Sequence, residues 1–272
     1  KTALLWSAFW ISLSLAFNVL VYAMYDREQA LNFFTGYLIE KALSVDNLFV
    51  FLVIFKYFRV SGHYQHKVLF WGILGALIMR AIFIAAGVTL INQFHFIIYV
   101  FGAFLIYTGI RMFSHDEEEV DPSRNLILRI FRKFFRVTDQ FRDGSFFVRE
   151  KNMLYATPLF VVLLVVESTD VIFALDSIPA ILAITTDPFI VYSSNICAIL
   201  GLRALYFALA GIIDAFRYLN YGLSAILIFV GFKMLISDFY KIDVTVALVV
   251  VGGLLLTSIL ASMLIPEREG KG

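Results

Sequence analysis

The stretch that decides the fold is Glu167-Ser168-Thr169-Asp170-Val171-Ile172-Phe173-Ala174-Leu175-Asp176-Ser177-Ile178-Pro179, which holds three carboxylates within a largely apolar segment. Apolar residues flank it at 159–166 and 180–184, and no lysine or arginine occurs between Lys151 and Arg203. A charged residue at the centre of a membrane helix costs about 2.5–3.5 kcal/mol on insertion scales. Three acids in one such span therefore predict that the segment binds something positive: a cation, a proton or an arginine.

The same arrangement of acids occurs earlier in the chain, where residues 40–50 align with residues 170–180. In both segments an acid is followed six residues later by a second acid and then by a small polar residue, Asn47 or Ser177. Further downstream, two more pairs of segments match: 75–83 with 198–206, and 99–112 with 221–234. This internal similarity predicts a duplicated unit of three helices.

The duplication organises the whole sequence into one predicted transmembrane domain, 1–272. Repeat A covers 29–113 and repeat B covers 153–238. Between them lies a polar loop, 114–152, and a last spanning helix follows at 243–265. The chain is 61% apolar and only 16% charged, well below the charged share of about 25% in soluble domains.

Apolar segments of roughly 20 residues, the length needed to cross a bilayer, occur eight times. They cover 4–25, 31–55, 68–91, 96–113, 153–184, 189–213, 219–236 and 244–265. The predicted fold class is therefore an all-α polytopic membrane protein with about eight transmembrane helices.

The lysines and arginines predict the orientation in the membrane, because cytoplasmic loops carry an excess of them. The 114–152 loop alone holds eight basic residues, so this loop and the C-terminus are predicted to be cytoplasmic. Each repeat has three helices, an odd number, so the two repeats enter the membrane from opposite sides. Such inverted repeats are typical of secondary transporters, whose binding sites lie near the bilayer midplane.

Helical geometry constrains how the acids of one segment can meet. On a straight helix, Glu40 and Asp46 project about 120° apart, and Asp170 and Asp176 have the same relation. Pro179 also removes a backbone donor from its helix. We therefore predict that both acidic helices are broken at the midplane, near 44–47 and near 175–179, where they line a cavity.

The predicted binding site for a divalent metal ion consists of oxygen donors from both repeats: Glu40, Asp46, Asn47, Glu167, Asp170, Asp176 and Ser177. Arg80 and Arg203 are expected to balance part of this charge. Oxygen ligands suit Mg²⁺, Ca²⁺ and Mn²⁺ alike, so the residues do not choose among the three. With no ion bound, at least one acid is expected to hold a proton near neutral pH, which would couple the ion to protons. The alternative is that the acids and arginines form neutral pairs that only hold the helices together.

The loop contains an amphipathic segment, 124–137, with apolar and aromatic residues on one helical face. Its basic face carries Arg129, Arg132, Lys133 and Arg136. This pattern predicts a helix on an anionic membrane surface. Binding to nucleic acid is disfavoured because the apolar face would stay exposed. His63 and His66 could ligate a metal, but beside basic loop residues they are interpreted as solvated.

The acidic segments, the arginines of Ile78-Met79-Arg80 and Gly201-Leu202-Arg203, and the entry Tyr155-Ala156-Thr157-Pro158 resemble the TerC family of membrane proteins. The resemblance covers nearly the whole chain. It implies a protein of the bacterial inner membrane, or of the thylakoid membrane, linked to manganese export and tellurite resistance. It also implies a relation to the lysine-exporter superfamily of transporters and a further hydrophobic helix upstream of Lys1.

Together these features predict an exporter of a divalent ion, Mn²⁺ by resemblance, coupled to protons and with neither enzymatic activity nor a permanently bound cofactor. An assembly or scaffold protein is the first alternative, because the resemblance to thylakoid proteins also permits that role. An intramembrane aspartyl protease is the second, but its Gly-x-Gly-Asp signature is absent from both acidic segments. Cys197, the single cysteine, excludes an intrachain disulfide.

Overall fold

The computed structural model describes residues 2–114, 128–129, 131, 135–138, 140–141, 144–150, 153–209 and 218–264, with Asp46, Ser114 and Glu150 described by their backbone alone. The described part is mostly helical, with one short hairpin, an isolated bridge and connecting turns, as predicted for an all-α membrane protein. Its helices are α1 (Thr2–Met24), α2 (Arg27–Tyr57), α3 (Gly62–Gln93), α4 (Ile97–Ser114), α5 (Pro158–Leu182), α6 (Pro188–Leu200), α7 (Leu202–Leu209), α8 (Leu219–Leu235) and α9 (Val244–Leu264).

Five helical segments of the described chain are long and apolar enough to cross a membrane. They are α1, α3, α5, α6 together with α7, and α9. The helices α4 and α8 are apolar but shorter, and α2 carries more charged residues. Each of the eight predicted spans thus contains a helix. Large apolar side chains such as Leu5, Ile82 and Leu264 are exposed, as expected for a surface that faces lipid.

The fifth predicted span begins later than the sequence suggested. Its first residues, Met153–Ala156, form strand β2, which pairs antiparallel with β1 (Phe147–Glu150). Thr157 then adopts an extended conformation as the N-cap, and Pro158 opens α5. Proline suits this first position because its fixed φ matches the helix and the backbone donor it lacks would be unpaired there.

The predicted breaks in the two acidic helices are wrong. The helix α2 continues through residues 44–47, and α5 continues past Pro179 to Leu182. Pro179 lies in the last turn of α5, where it removes a single intrahelical hydrogen bond, so the helix tolerates it. The interruption occurs instead at Gly201, between α6 and α7. There Lys41 Nζ donates a 3.1 Å hydrogen bond to the Ala198 carbonyl, one of the last carbonyls of α6.

The helices α4 and α8 cross at two close contacts that mirror each other. Gly102 lies against the carbonyl of Gly231, and Gly231 lies against the carbonyl of Gly102. About two turns farther along, the Ser224 hydroxyl donates to the carbonyl of Gly109. The two helices are therefore antiparallel. In the sequence repeat Gly102 corresponds to Ser224 and Gly109 to Gly231, so each contact maps onto the other when the repeats are exchanged, as a two-fold relation requires.

This crossing gives a testable consequence at Gly231. A Cβ built there would lie 2.6 Å from the Gly102 carbonyl oxygen, closer than non-bonded atoms approach. We expect Gly231→Ala to lower the melting temperature in detergent, because the two backbones must separate. Gly253→Ala on α9 is the control, since a Cβ there meets nothing within 4 Å. Equal melting temperatures for the two variants would contradict this account of the crossing.

The described part of the 124–137 segment differs from the predicted membrane-surface helix. Leu128 is buried in the main apolar core, which also contains Leu159 and Val162 of α5. At its end the chain is extended, because Val137 forms a bridge with Ala156. The helix therefore ends before residue 137, and part of its apolar face packs against the protein itself. Arg132 and Lys133 lie outside the described residues, whereas Arg129 and Arg136 are exposed.

Candidate functional site

A buried arginine joins the two acidic helices. Arg80 lies at the middle of α3, and its guanidinium contacts Glu40 of α2 and Asp170 of α5. The contact to Asp170 is bidentate, with Nε 3.3 Å from Oδ2 and Nη2 3.1 Å from Oδ1. The same guanidinium reaches Glu40 Oε1 through Nη1, which also lies 3.1 Å from Ser177 Oγ. We call Glu40, Arg80, Asp170 and Ser177 the central cluster.

All four residues are almost inaccessible to solvent: Glu40 and Arg80 are 1% exposed, Ser177 is 2% exposed and Asp170 is 4% exposed. An ion pair at this depth requires close charge pairing, because each charge is removed from water. Asp170 and Ser177 are seven residues apart, about two helical turns, so they face the same side of the unbroken α5. Arg80 enters from a third helix, and for this reason the acidic helices need not bend to bring their charges together.

Among the described side chains of α2, two buried polar atoms have no hydrogen-bond partner. They are Glu40 Oε2 and Ser44 Oγ, both buried. Residues four apart lie on the same helical face, so the two atoms share the stripe of α2 that carries the central cluster. A buried acceptor without a partner costs about 1–3 kcal/mol, and more when it is charged. These atoms are therefore available to a proton or a cation.

Glu167 extends the acidic character of this region. It lies one turn before Asp170 on α5 and is half-buried. Its carboxyl group lies directly against Gly75 of α3, where any larger side chain would collide with it. Glu167 also experiences the charge of Asp170. The absence of a side chain at residue 75 thus creates the space that the Glu167 carboxylate occupies.

The third acid of the α5 segment lies in a different environment. Asp176 lies beside Thr108 and Arg111 of α4. This separation follows from the 120° projection on a straight helix, which directs Asp176 away from the face that carries Asp170. Asn47 is buried on α2 at 3% exposure, and the side chain of Asp46 lies outside the described part of the structure.

The expectation that Arg203 balances the central charges is not met. Arg203 is exposed, and its Nη2 lies 3.1 Å from Nδ1 of His66 on α3. The physical reason is the interruption at Gly201, which begins a new helix, α7, just before Arg203. His66 is thus not simply solvated, because it is paired with this arginine.

Sequence reasoning missed several polar residues near the site. Asn195 of α6 is fully buried, and both its side-chain amide atoms lack a partner. The helix α6 packs against α2 and α3, which carry Glu40 and Arg80. Lys41 was likewise part of the first acidic segment but received no role. The available signal was the occurrence of polar side chains within long apolar runs, which the search for paired acids overlooked.

Among the described residues, no three histidine, cysteine or acidic side chains are grouped as ligands of a metal ion. In this conformation Arg80 supplies the positive charge between Glu40 and Asp170. Glu40, Asp170 and Glu167, if ionised, carry three negative charges against the one of Arg80, which leaves a formal charge of −2. A divalent ion would neutralise this charge.

Comparison with known sequences identifies a family of membrane proteins and several similar membrane proteins. The model of a family described as "Integral membrane protein TerC family" matches residues 25–270. An uncharacterized membrane protein of Myxococcus xanthus is 53% identical over 264 residues, covering 97% of this chain and 83% of that protein. A "Putative membrane-bound redox modulator Alx" of Escherichia coli K12 is 49% identical over 280 residues, covering 100% of this chain and 87% of that protein. No solved structure matches the chain.

Proposed function

The chain belongs to the TerC family of integral membrane proteins, and from this premise we propose that it exports a divalent cation, Mn²⁺, from the cytoplasm in exchange for protons. The observation that carries the proposal is the pairing of two deeply buried carboxylates, Glu40 and Asp170, from the two predicted repeats on one arginine. We place the protein in the bacterial inner membrane, with the 114–152 loop on the cytoplasmic side.

Charge balance supports a doubly charged substrate. The region of Glu40, Asp170 and Glu167 with Arg80 has a formal charge of −2 when all groups are ionised, which either one divalent ion or two protons can neutralise. Two ions that compete for the same carboxylates are exchanged rather than carried together. Arg80 holds the acids in place while the ion is absent, and it must release at least one carboxylate when the ion enters.

The donor chemistry supports a hard cation. The atoms that could ligate a cation in the central cluster and in Ser44, Asn47 and Asn195 are carboxylate, hydroxyl and amide oxygens. Such donors suit Mg²⁺, Ca²⁺ and Mn²⁺ rather than Cu⁺ or Zn²⁺. The choice of Mn²⁺ rests on the family resemblance.

The name of the Escherichia coli relative suggests a redox role. Thiol chemistry would be one basis for such a role, so the cysteines of this chain are relevant to it. The chain has one cysteine, Cys197, which is half-buried in α6. Exchange between a dithiol and a disulfide within one chain needs two thiols. The carboxylates of the central cluster therefore give a better-supported function than thiol chemistry does.

The test is Mn²⁺ flux in proteoliposomes that contain a pH-sensitive dye. The wild-type protein is expected to move Mn²⁺ and to move protons in the opposite direction, and Mg²⁺ and Ca²⁺ measure selectivity. An absence of flux for all three ions, in protein that is correctly folded, would contradict the proposal. It would favour a role in assembly, for which the acids are dispensable.

The contact between Gly75 and Glu167 provides a milder test of the site. In Gly75→Ala the new methyl group occupies the position of the Glu167 carboxylate, which must then rotate away. We expect Mn²⁺ flux to fall about tenfold with little loss of stability, because the side chain that moves is flexible. Gly252→Ala is the matched control, since a Cβ there meets nothing within 4 Å. Unchanged flux in Gly75→Ala would exclude Glu167 from the transport path.

A further inference from the structure

We propose that Arg203 and His66 form a binding site for the phosphate of an anionic phospholipid, at the end of the bundle where α3 begins. The ligand is a membrane lipid whose phosphate contacts the guanidinium and whose acyl chain lies along α3. This site is separate from the central cluster, and it does not depend on what the protein transports.

The first observation is the contrast between two arginines at corresponding positions of the sequence repeat. Arg80 is buried and is neutralised by two carboxylates. Arg203 is exposed, and among the described residues its one hydrogen-bond partner is His66, with no carboxylate in contact. At a membrane surface an exposed cation of this kind attracts anionic lipid headgroups. An anionic group from the membrane would complete the pairing of Arg203.

The second observation is the hydrogen-bonding state of His66. A guanidinium can only donate hydrogen bonds, so His66 Nδ1 must be the acceptor in its contact with Arg203. In neutral His66 the proton then lies on Nε2, which is a second donor. Nε2 lies on the far side of the ring from Arg203, so His66 orients the guanidinium, and the remaining N–H groups of Arg203 are the donors for a phosphate oxygen.

The third observation is that this pair is held rigidly between two helices. The His66 ring stacks on Phe207 of α7, with ring centroids 4.0 Å apart. Next to it, Tyr206 Oη donates a 3.1 Å hydrogen bond to Gln65 Oε1. The donors are therefore positioned before a ligand arrives, which lowers the entropy lost on binding.

The fourth observation is the position of the site along the membrane-spanning helix. His66 is four residues from the start of α3, about 6 Å along its axis, and we place it at the level of the lipid phosphates because the exposed apolar residues of α3 begin one turn later. Phe70, Leu74, Ile78 and Ile82 follow at intervals of one turn and are all exposed, at 53%, 42%, 57% and 63%. This apolar stripe continues from the donors toward the centre of the membrane. A phosphate with an attached acyl chain fits both parts, whereas a free phosphate uses only the first.

The charge of the surrounding surface also favours an anionic lipid. The turn between α2 and α3 carries Lys56 and Arg59. Basic groups between helices at a membrane surface attract anionic lipid headgroups. The phosphate site would therefore lie within a favourable electrostatic field.

The test uses the full chain, purified in a neutral detergent and titrated with phosphatidylglycerol or phosphatidylcholine while native mass spectrometry counts the bound lipids. We expect the wild type to bind phosphatidylglycerol about tenfold more tightly than phosphatidylcholine, and Arg203→Gln to lose this preference. His66→Leu should weaken binding by a smaller factor, and it serves as the second variant if Arg203→Gln does not fold. Arg27→Gln, at the opposite end of α2, should bind as the wild type does.

Three outcomes would overturn the proposal. One is an unchanged preference for phosphatidylglycerol in both Arg203→Gln and His66→Leu. Another is an equal loss of preference in Arg27→Gln, which would show a general effect of charge. The third is displacement of phosphatidylglycerol by millimolar inorganic phosphate, which would show that the site accepts a soluble anion and does not use the apolar stripe.

Discussion

Replacing Arg80 with glutamine is expected to lower the free energy of unfolding by about 3–5 kcal/mol, the usual result of removing one partner from a buried ion pair. Glu40 and Asp170 would then remain deeply buried without a counter-charge. The measurement is thermal or denaturant unfolding of the purified protein in detergent, together with the yield of folded protein from membranes.

Arg203→Gln is the matched control, because it removes the corresponding arginine of the other repeat. Arg203 is exposed and lacks a carboxylate partner among the described residues, so its loss should change stability by less than about 1 kcal/mol. The triple variant Glu40→Gln, Arg80→Gln, Asp170→Asn removes all three charges and should recover much of the lost stability. Equal losses in the free energy of unfolding for Arg80→Gln and Arg203→Gln would contradict the structural role assigned to Arg80.

The overall fold was largely predictable because long apolar segments leave few alternatives in a membrane. Each predicted span contains a helix, and the bounds of 219–236 and 244–265 agree with α8 and α9 within a few residues. The start of α5 was not predictable from hydropathy, because Met153–Ala156 is apolar but pairs with β1. Secondary structure that depends on such pairing between segments is not visible in local composition.

The candidate site was predictable in its residues but not in its connections. The repeat pointed to Glu40, Asp170 and Ser177, and the structure places all three around Arg80. Arg80 and Arg203 occupy equivalent positions in the sequence repeat. In the structure Arg80 is buried and Arg203 is exposed, because the helix is interrupted at Gly201. A glycine in an apolar run does not by itself reveal whether the helix ends there, so this difference required coordinates.

The angle between the acids was predicted correctly, but the conclusion drawn from it was wrong. A projection of 120° can be resolved by breaking the helix, or by giving each acid its own partner. The structure shows the second solution for α5, where Asp170 contacts Arg80 and Asp176 lies beside Thr108 and Arg111. This solution keeps the intrahelical hydrogen bonds, and in the membrane each of them is costly to lose.

Mutation of an acid in the central cluster is expected to lower ion binding and transport together. In Glu40→Gln or Asp170→Asn, one charged oxygen ligand is lost while Arg80 keeps its other carboxylate, so the protein should fold. A hydrogen bond or ligand contact to a charged group contributes about 1.5–3 kcal/mol, which corresponds to about ten- to a hundredfold in affinity. We expect Mn²⁺ binding and Mn²⁺-driven proton movement in vesicles to fall together by this factor.

Asp176→Asn should behave differently, because Asp176 lies outside the central cluster. Mn²⁺ binding is expected to stay within about threefold of the wild type, while transport falls at least about tenfold, if Asp176 acts in a later step than binding. Asp238→Asn is the control, since Asp238 is exposed and contacts His95 and Tyr99. Wild-type transport in Glu40→Gln and Asp170→Asn would refute the proposed site, whereas an equal loss of binding in Asp176→Asn would show that Asp176 joins the cluster when the ion is bound.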